Sequence, residues 1–267
     1  MRIQGNKWFR NSQEIGGNAI DFLVDYYGLS PNEAIKKLLQ DTGYTVNKKN
    51  GVKEKNKITR PGAPGRFDFN DIAIACDQRR VIAYLVKSRG IPPDIVLAEI
   101  QKGQLFQESQ TGNAIFVMIN EAGVIVGAEV VGTLNFENAR FKGLKAGSVS
   151  GYGYTVGQKK NPRFILYFES AVDLLSFIII TRVRAKPLTA CLLVSMAGLK
   201  FGVIHKSLKV FGNQYATPVL CVDNDEAGNR FIDHCLFQYP SAIIKQPDKN
   251  YKDWNDQLRG KTIVVNC

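Results

Sequence analysis

After Pro162 the chain alternates short apolar runs with amphipathic ones, and this alternation restricts its fold more than any other feature. FILYFE, LLVSMAG, TPVLCVDND and SAIIKQP read as strands, each short, apolar and bounded by polar or turn residues. SAVDLLSFIIITRV, FGVIHKSL, EAGNRFIDHCLFQY and KDWNDQL, interleaved with them, read as helices. Four strands separated by helices predict a mostly parallel α/β sheet, which collects its ligands at the carboxyl ends of its strands.

Acids occupy those ends. The first strand finishes on Glu169, the second on Gly198, the third on Asp223 and Asp225, and Lys252, Asp253, Asn255 and Asp256 follow the fourth. On an extended backbone Asp223 and Asp225 project to one side, and two carboxylates that close repel each other. Two readings answer this. A hard divalent cation such as magnesium, bound through oxygen, would balance the charges; alternatively, Asp225 is the N-cap of the helix beginning at Glu226. The convergence of Glu169 with the Asp pair at one sheet edge favours the cation, and such ions serve phosphoryl transfer.

Charge points to the partner. There are 35 Lys and Arg against 24 Asp and Glu, a net charge of +11. That excess favours polyanions, nucleic acid before an acidic membrane surface. The five cysteines show no Cys-x-x-Cys spacing, so buried reduced thiols are expected rather than zinc or disulfides. No apolar signal region follows Met1, and the longest apolar run, LLSFIIITRV, is broken by Arg182 and Arg184, so a cytoplasmic protein without membrane contact is expected. No Gly-x-x-x-x-Gly-Lys-Ser/Thr loop occurs, which leaves out a P-loop ATPase.

Upstream, Ile20, Leu23, Val24 and Tyr27 recur at helical spacing, and Ser30, Pro31 and Glu33 predict the start of a second helix that Gly43 ends. Residues 1–46 are therefore expected to be a helical segment. Residues 47–66 hold seven Lys or Arg and one Glu, the composition of a basic linker. Residues 67–160 follow as a smaller α+β subdomain: a helix over 71–89, a second helix, and the hairpin NAIFVMINEAGVIVGAEVVG turning at Glu121, Ala122 and Gly123. Residues 161–267 hold the alternating unit. His205 reads as a surface or packing residue rather than a ligand, and Tyr152 and Tyr154 as either base-stacking side chains or sheet and core packing.

FESAVD, VSMAGLK and VDNDEAG, in this order within a four-strand α/β unit, resemble the Toprim domain shared by bacterial primases, topoisomerases and some nucleases. The spacing Glu169-x-x-x-Asp173 and the run Asp223-x-Asp225-x-Ala227-Gly228 are most similar to bacterial primase. The resemblance implies Glu169 as general acid/base or metal ligand, Asp223 and Asp225 as ligands of magnesium or manganese, and Asp173 as a supporting catalytic residue. ARFKG stands where primases carry basic residues along the nucleotide and template path, implying Arg140 and Lys142, with Lys145 and Lys252, as nucleic-acid contacts. Val131 stands where the pattern has an arginine. The first helices are similar to the tail of a primase zinc finger, with Arg10 and Gln13 in the places of its second pair of cysteines, so zinc is not expected.

The expectation is a primase-like nucleotidyltransferase of a plasmid or other mobile element, using single-stranded DNA and nucleoside triphosphates beside a helicase or relaxase. A Toprim nuclease is the alternative enzyme. A non-catalytic nucleic-acid-binding accessory protein is the alternative outside catalysis.

Overall fold

The structure is a computed structural model and describes residues 2–4, 7–10, 15–17, 19–27, 33–34, 37–38, 67–134, 141–185, 188–212 and 215–260. The chain divides into two compact units, Met1–Thr59 and Arg60–Cys267. In the first, β1 (Arg2–Gln4), β2 (Lys7–Arg10) and β3 (Ile15–Gly17) form an antiparallel sheet in the order β1-β2-β3. Helix α1 (Ala19–Tyr27) follows, with Leu23 buried. Strands thus precede the helix where a wholly helical segment is expected; each is only three or four residues long, too short for an alternating pattern to register. The basic linker over 47–66 lies outside the described residues.

The second unit is built on one nine-stranded sheet. Its strands are β4 (Leu105–Gln107), β5 (Ala114–Ile119), β6 (Ile125–Val131), β7 (Lys142–Leu144), β8 (Tyr154–Gly157), β9 (Phe164–Phe168), β10 (Cys191–Ser195), β11 (Thr217–Leu220) and β12 (Ile243–Ile244). They lie in the order β12-β11-β9-β10-β8-β5-β6-β7, and β4 pairs with β5 beside that path. β12, β11, β9 and β10 are parallel, as the alternation predicts. From β8 onward every pairing is antiparallel.

Alternation along the parallel strands builds a core on each sheet face. Leu166, Phe168, Leu193, Val219 and Cys221 join Leu174, Leu175 and Phe177 of α4 (Ala171–Val183), together with Trp254 of α7 (Trp254–Leu258). This core continues to α2 (Arg79–Ala83, running on as a π-helical turn to Ser88) and α3 (Pro93–Gln101) through Val81, Leu85 and Val96. Ile165, Tyr167, Leu192, Val194 and Leu220 pack the other way, against α5 (Phe201–Val210) and α6 (Glu226–Gln238). Helix α4 is apolar nearly all round because the sheet, α7 and the α2 side enclose it, the pattern of a fully buried helix.

Two expected boundaries move. The helix over 71–89 is a 3-10 turn at Phe69–Asp71 and then α2 from Arg79. Between them Ile74 bridges Glu108, and the backbone N–H of Ala75 donates to Gln107, so strand-like pairing replaces the helical ladder. β11 stops at Leu220, although the backbone N–H of Cys221 still donates to Tyr167. Asp223 and Asp225 therefore lie on the loop beyond the strand rather than on the strand itself.

Candidate functional site

β9 and β11 are parallel neighbours with Tyr167 opposite Leu220, so Glu169 and Asp223 leave the same edge of the sheet two and three residues later. α4 starts at once after Glu169: Ser170 is its N-cap, its Oγ accepting from the backbone N–H of Asp173 at 3.3 Å. On the other side, the loop after β10 turns with Ala197 and Gly198 at φ 51° and 103°, which brings the Gly198 N–H to the Glu169 carbonyl at 2.7 Å. The left-handed φ at the second position suits glycine.

The loop from Asp223 to Asp225 is held from three directions. Its Asn224 backbone N–H donates to the Lys252 carbonyl at 2.7 Å, and its side chain donates to the carbonyls of Pro247 and Tyr251. Gln246 Nε2 donates to the Asp223 carbonyl at 2.9 Å, and Trp254 Nε1 to that of Cys221 at 2.8 Å. Gly228 lies so near that a Cβ there would be 2.3 Å from the Asp223 carbonyl oxygen.

The two aspartates consequently differ. Asp225 caps α6, accepting from the Gly228 N–H at 2.9 Å through Oδ1, while Oδ2 lies 3.6 Å from Lys252 Nζ. Asp223 is buried, and its Oδ1 has no hydrogen-bond partner in the structure. Burial, then Asp173, Glu169 and Asp253, push its carboxyl up to about 9. Burial and Asp253 likewise raise Asp173 to about 7, with the Ser170 hydroxyl and the Asn255 N–H opposing. Glu169 is raised by burial and by Asp225 and Asp253, with Lys142 and Lys252 opposing. Each acid feels the others, as carboxylates gathered in one low-dielectric place must.

Helix capping by Asp225 is thus realised through Oδ1, and Oδ2 stays beside Lys252. Among the described residues, no three His, Cys, Asp or Glu side chains are already drawn together as a metal cage. The donor set nonetheless fits a hard divalent cation: an orphaned buried carboxylate oxygen at Asp223, with further carboxylates at Glu169, Asp225 and Asp253, all oxygen.

The basic residues divide. Lys142 on β7 is exposed and acts electrostatically on Glu169, Asp173 and Asp223. Lys252 sits beside Asp225; against the pull of burial, Asp225 and Asp223 raise its ammonium. Lys145 is instead committed to Glu108, whose carboxyl it and Thr111 hold low although burial opposes them. Arg140 lies outside the described residues. Tyr154 is a core residue, donating to the buried Glu99 at 2.6 Å, whereas Tyr152 donates to Glu121 at the surface, beneath the Lys206 ammonium.

Asp253, which the sequence already places after the fourth strand, caps α7 through the Asp256 N–H at 2.6 Å and acts on Glu169, Asp173 and Asp223. One acid escaped the sequence reading. Glu129 is buried in β6, accepting from the Ala171 N–H at 3.0 Å and from Ser195 Oγ at 2.6 Å. An acid inside the apolar run IVGAEVV was the signal there.

Residues 166–258 match the family described as Toprim-like, and residues 83–161 match a protein family of unknown function, DUF3991. The chain is 26% identical to the uncharacterized protein pXO2-78 of Bacillus anthracis, over 95% of this chain and 76% of that one. Among solved structures it is similar to the primase fragment of the bacteriophage T7 primase-helicase protein, with TM-score 0.49 and 14% identity over 78% of this chain and 80% of that chain. It is also similar to the zinc-binding and RNA polymerase domains of Aquifex aeolicus primase, with TM-score 0.41 and 13% identity over 96% of this chain and 70% of that one. Residues 166–258 are a Toprim-like domain.

Proposed function

We propose that this chain, through its Toprim-like domain, is a primase-like nucleotidyltransferase that extends or initiates a strand on single-stranded DNA. One observation carries the reading. Acids from the ends of neighbouring parallel strands gather at one edge, and the buried Asp223 keeps an oxygen without a partner while its carboxyl is pushed up to about 9. An arrangement that costs the empty protein stability invites a cation and a polyanionic substrate.

Asp223 and Asp225 would hold magnesium or manganese, with Glu169 completing the set or taking the proton of an attacking 3′-hydroxyl. The ion, when bound, supplies positive charge against the phosphoryl oxygens of a transferring group. Lys142 of β7 and Lys252 of the loop before α7, which act electrostatically on Glu169, would hold triphosphate or template phosphates. Asp173, buried one turn into α4 and accepting from the Asn255 N–H at 3.3 Å, ties Glu169's helix to α7. Arg140 belongs to the same proposal as a template contact. The setting we infer is cytoplasmic replication of a plasmid or other mobile element, with a helicase or relaxase as partner.

The test is one reaction. The protein is incubated with single-stranded DNA, nucleoside triphosphates and magnesium or manganese, and both new strands and cleavage products are resolved. Triphosphate-dependent strands that vanish with Asp223→Asn support the proposal. Cleavage without synthesis would assign a nuclease, and neither product would leave a binding protein.

A further inference from the structure

We propose that Glu129 is the positioning residue for Glu169, clamping from a distant strand the two backbone segments between which Glu169 is held. This rests on the reading of Glu169 as part of a phosphoryl-transfer site. Glu129 belongs to the antiparallel half of the sheet, opposite Phe116 of β5 and Leu144 of β7. Its side chain is buried, and both oxygens are used. Oε1 accepts from the Ala171 N–H, the first helical N–H of α4, at 3.0 Å. Oε2 accepts from Ser195 Oγ, the last residue of β10, at 2.6 Å.

Those two partners flank Glu169 on both sides. Ala171 is two residues after it, at a helix start that Ser170 already caps, so Glu129 supplies a second acceptor to the orphan N–H groups of that turn. Ser195 leads into the loop that grips the Glu169 strand from the other side: the Met196 N–H donates to the Phe168 carbonyl at 2.8 Å and the Gly198 N–H to the Glu169 carbonyl at 2.7 Å. The Ala197 N–H also reaches Ser195 Oγ at 3.4 Å. One carboxylate thus fixes the helix start and the opposing loop together, and the backbone of Glu169 lies between them. A charge is needed less than two acceptors in this geometry.

A buried acid in the middle of a β-strand is expensive and is retained only with partners. Burial raises the Glu129 carboxyl, while the Ser195 hydroxyl, the Ala171 N–H, Lys142 and Lys200 oppose. Lys200 itself donates to the carbonyls of Met196 and Ala197, which pins the same loop from beneath.

The experiment compares Glu129→Ala, Glu129→Gln and Ser195→Ala in the full chain, at a temperature well below all melting midpoints. Two readouts are taken: amide hydrogen exchange across 169–173 and 196–198, and the rate of triphosphate-dependent strand synthesis at saturating DNA. Glu129→Ala is expected to accelerate exchange in both segments and lower the rate by about tenfold to a hundredfold, as loss of a supporting partner does. DNA affinity should stay unchanged, because Lys142 and Lys252 remain. Glu129→Gln keeps an acceptor for Ala171 and a hydrogen-bonding amide for Ser195, and should restore both readouts; Ser195→Ala should loosen 196–198 alone. Wild-type exchange in Glu129→Ala, or equal loss in the Ala and Gln variants, overturns the inference. If the wild-type protein makes no strand, the functional reading fails and exchange alone decides the role of Glu129.

Discussion

Gly228→Ala should destabilise this protein, although the same change in a helix ordinarily stabilises. Gly228 lies in α6, where alanine is favoured over glycine by about 0.5–1 kcal/mol. The added Cβ would, however, stand 2.3 Å from the Asp223 carbonyl oxygen, where ordinary contact begins at 3.4 Å. That oxygen cannot yield freely, since it accepts Gln246 Nε2 at 2.9 Å and its loop is tied to Lys252, Pro247 and Tyr251. Forced overpacking of this kind costs about 1–3 kcal/mol. The net loss is then roughly 0–2.5 kcal/mol, about 1 kcal/mol at the centre of both ranges, a fall of about 2–4 °C in melting midpoint for a unit of this size. Gly202 supplies the internal control. It lies exposed near the start of α5 with nothing within 4 Å of an added Cβ, so Gly202→Ala should raise the midpoint by about 1–4 °C. Thermal melts followed by circular dichroism measure both. Since the Gly228 N–H also caps onto Asp225, the magnesium-induced rise in midpoint should shrink in Gly228→Ala alone. A midpoint that rises in both variants would refute the close approach of α6 to the Asp223 loop.

Other outcomes follow from the same edge. Asp223→Asn, melted in chelator, should match wild type near pH 4 and become increasingly the more stable protein as pH rises toward 9. The folded carboxyl at about 9 lies above its unfolded value of about 3.9, so ionisation penalises only the wild-type fold across that window; a constant difference would contradict the burial of Asp223. Asp225→Asn should retain the apo midpoint, because asparagine caps as well as aspartate, yet lose most of its magnesium response; equal responses in the two proteins would remove Asp225 as a ligand. Lys142→Ala should weaken binding of single-stranded DNA and flatten its salt dependence by about one charge, read by fluorescence anisotropy across a salt series. Elemental analysis should find no stoichiometric zinc; one zinc per chain would contradict the reading of Arg10 and Gln13.

The parallel half of the sheet was legible because its strands are short, apolar and separated by helices long enough to show a period. The antiparallel half was less so. β7 and β8 are three and four residues long and rich in Gly, and their pairing depends on partners far along the chain. At the site, Glu169, Asp223 and Asp225 could be named because acids at strand ends break an apolar pattern, whereas Asp173, inside α4, is named only by the resemblance to primase. The capping role of Asp225 was legible too; what could not be read was that Asp223, beyond the end of β11, is buried with an oxygen that has no partner. Lys145 and Lys142 look alike in ARFKGLK, and only the position of Glu108 separates the paired one from the one facing the acids. Glu129 acts through contacts to residues 42 and 66 positions away, which no local pattern encodes.

The single sheet running from β12 to β7 joins the two family-matched stretches into one folding unit. β8, at the end of the first stretch, hydrogen-bonds along β10, in the interior of the second. Cutting the chain near residue 161 would bare the full length of β10 in one fragment and leave β8 with little beyond Met118 in the other. Bared strand edges recruit other chains, so either half of this chain, expressed alone from a cut at that point, should aggregate.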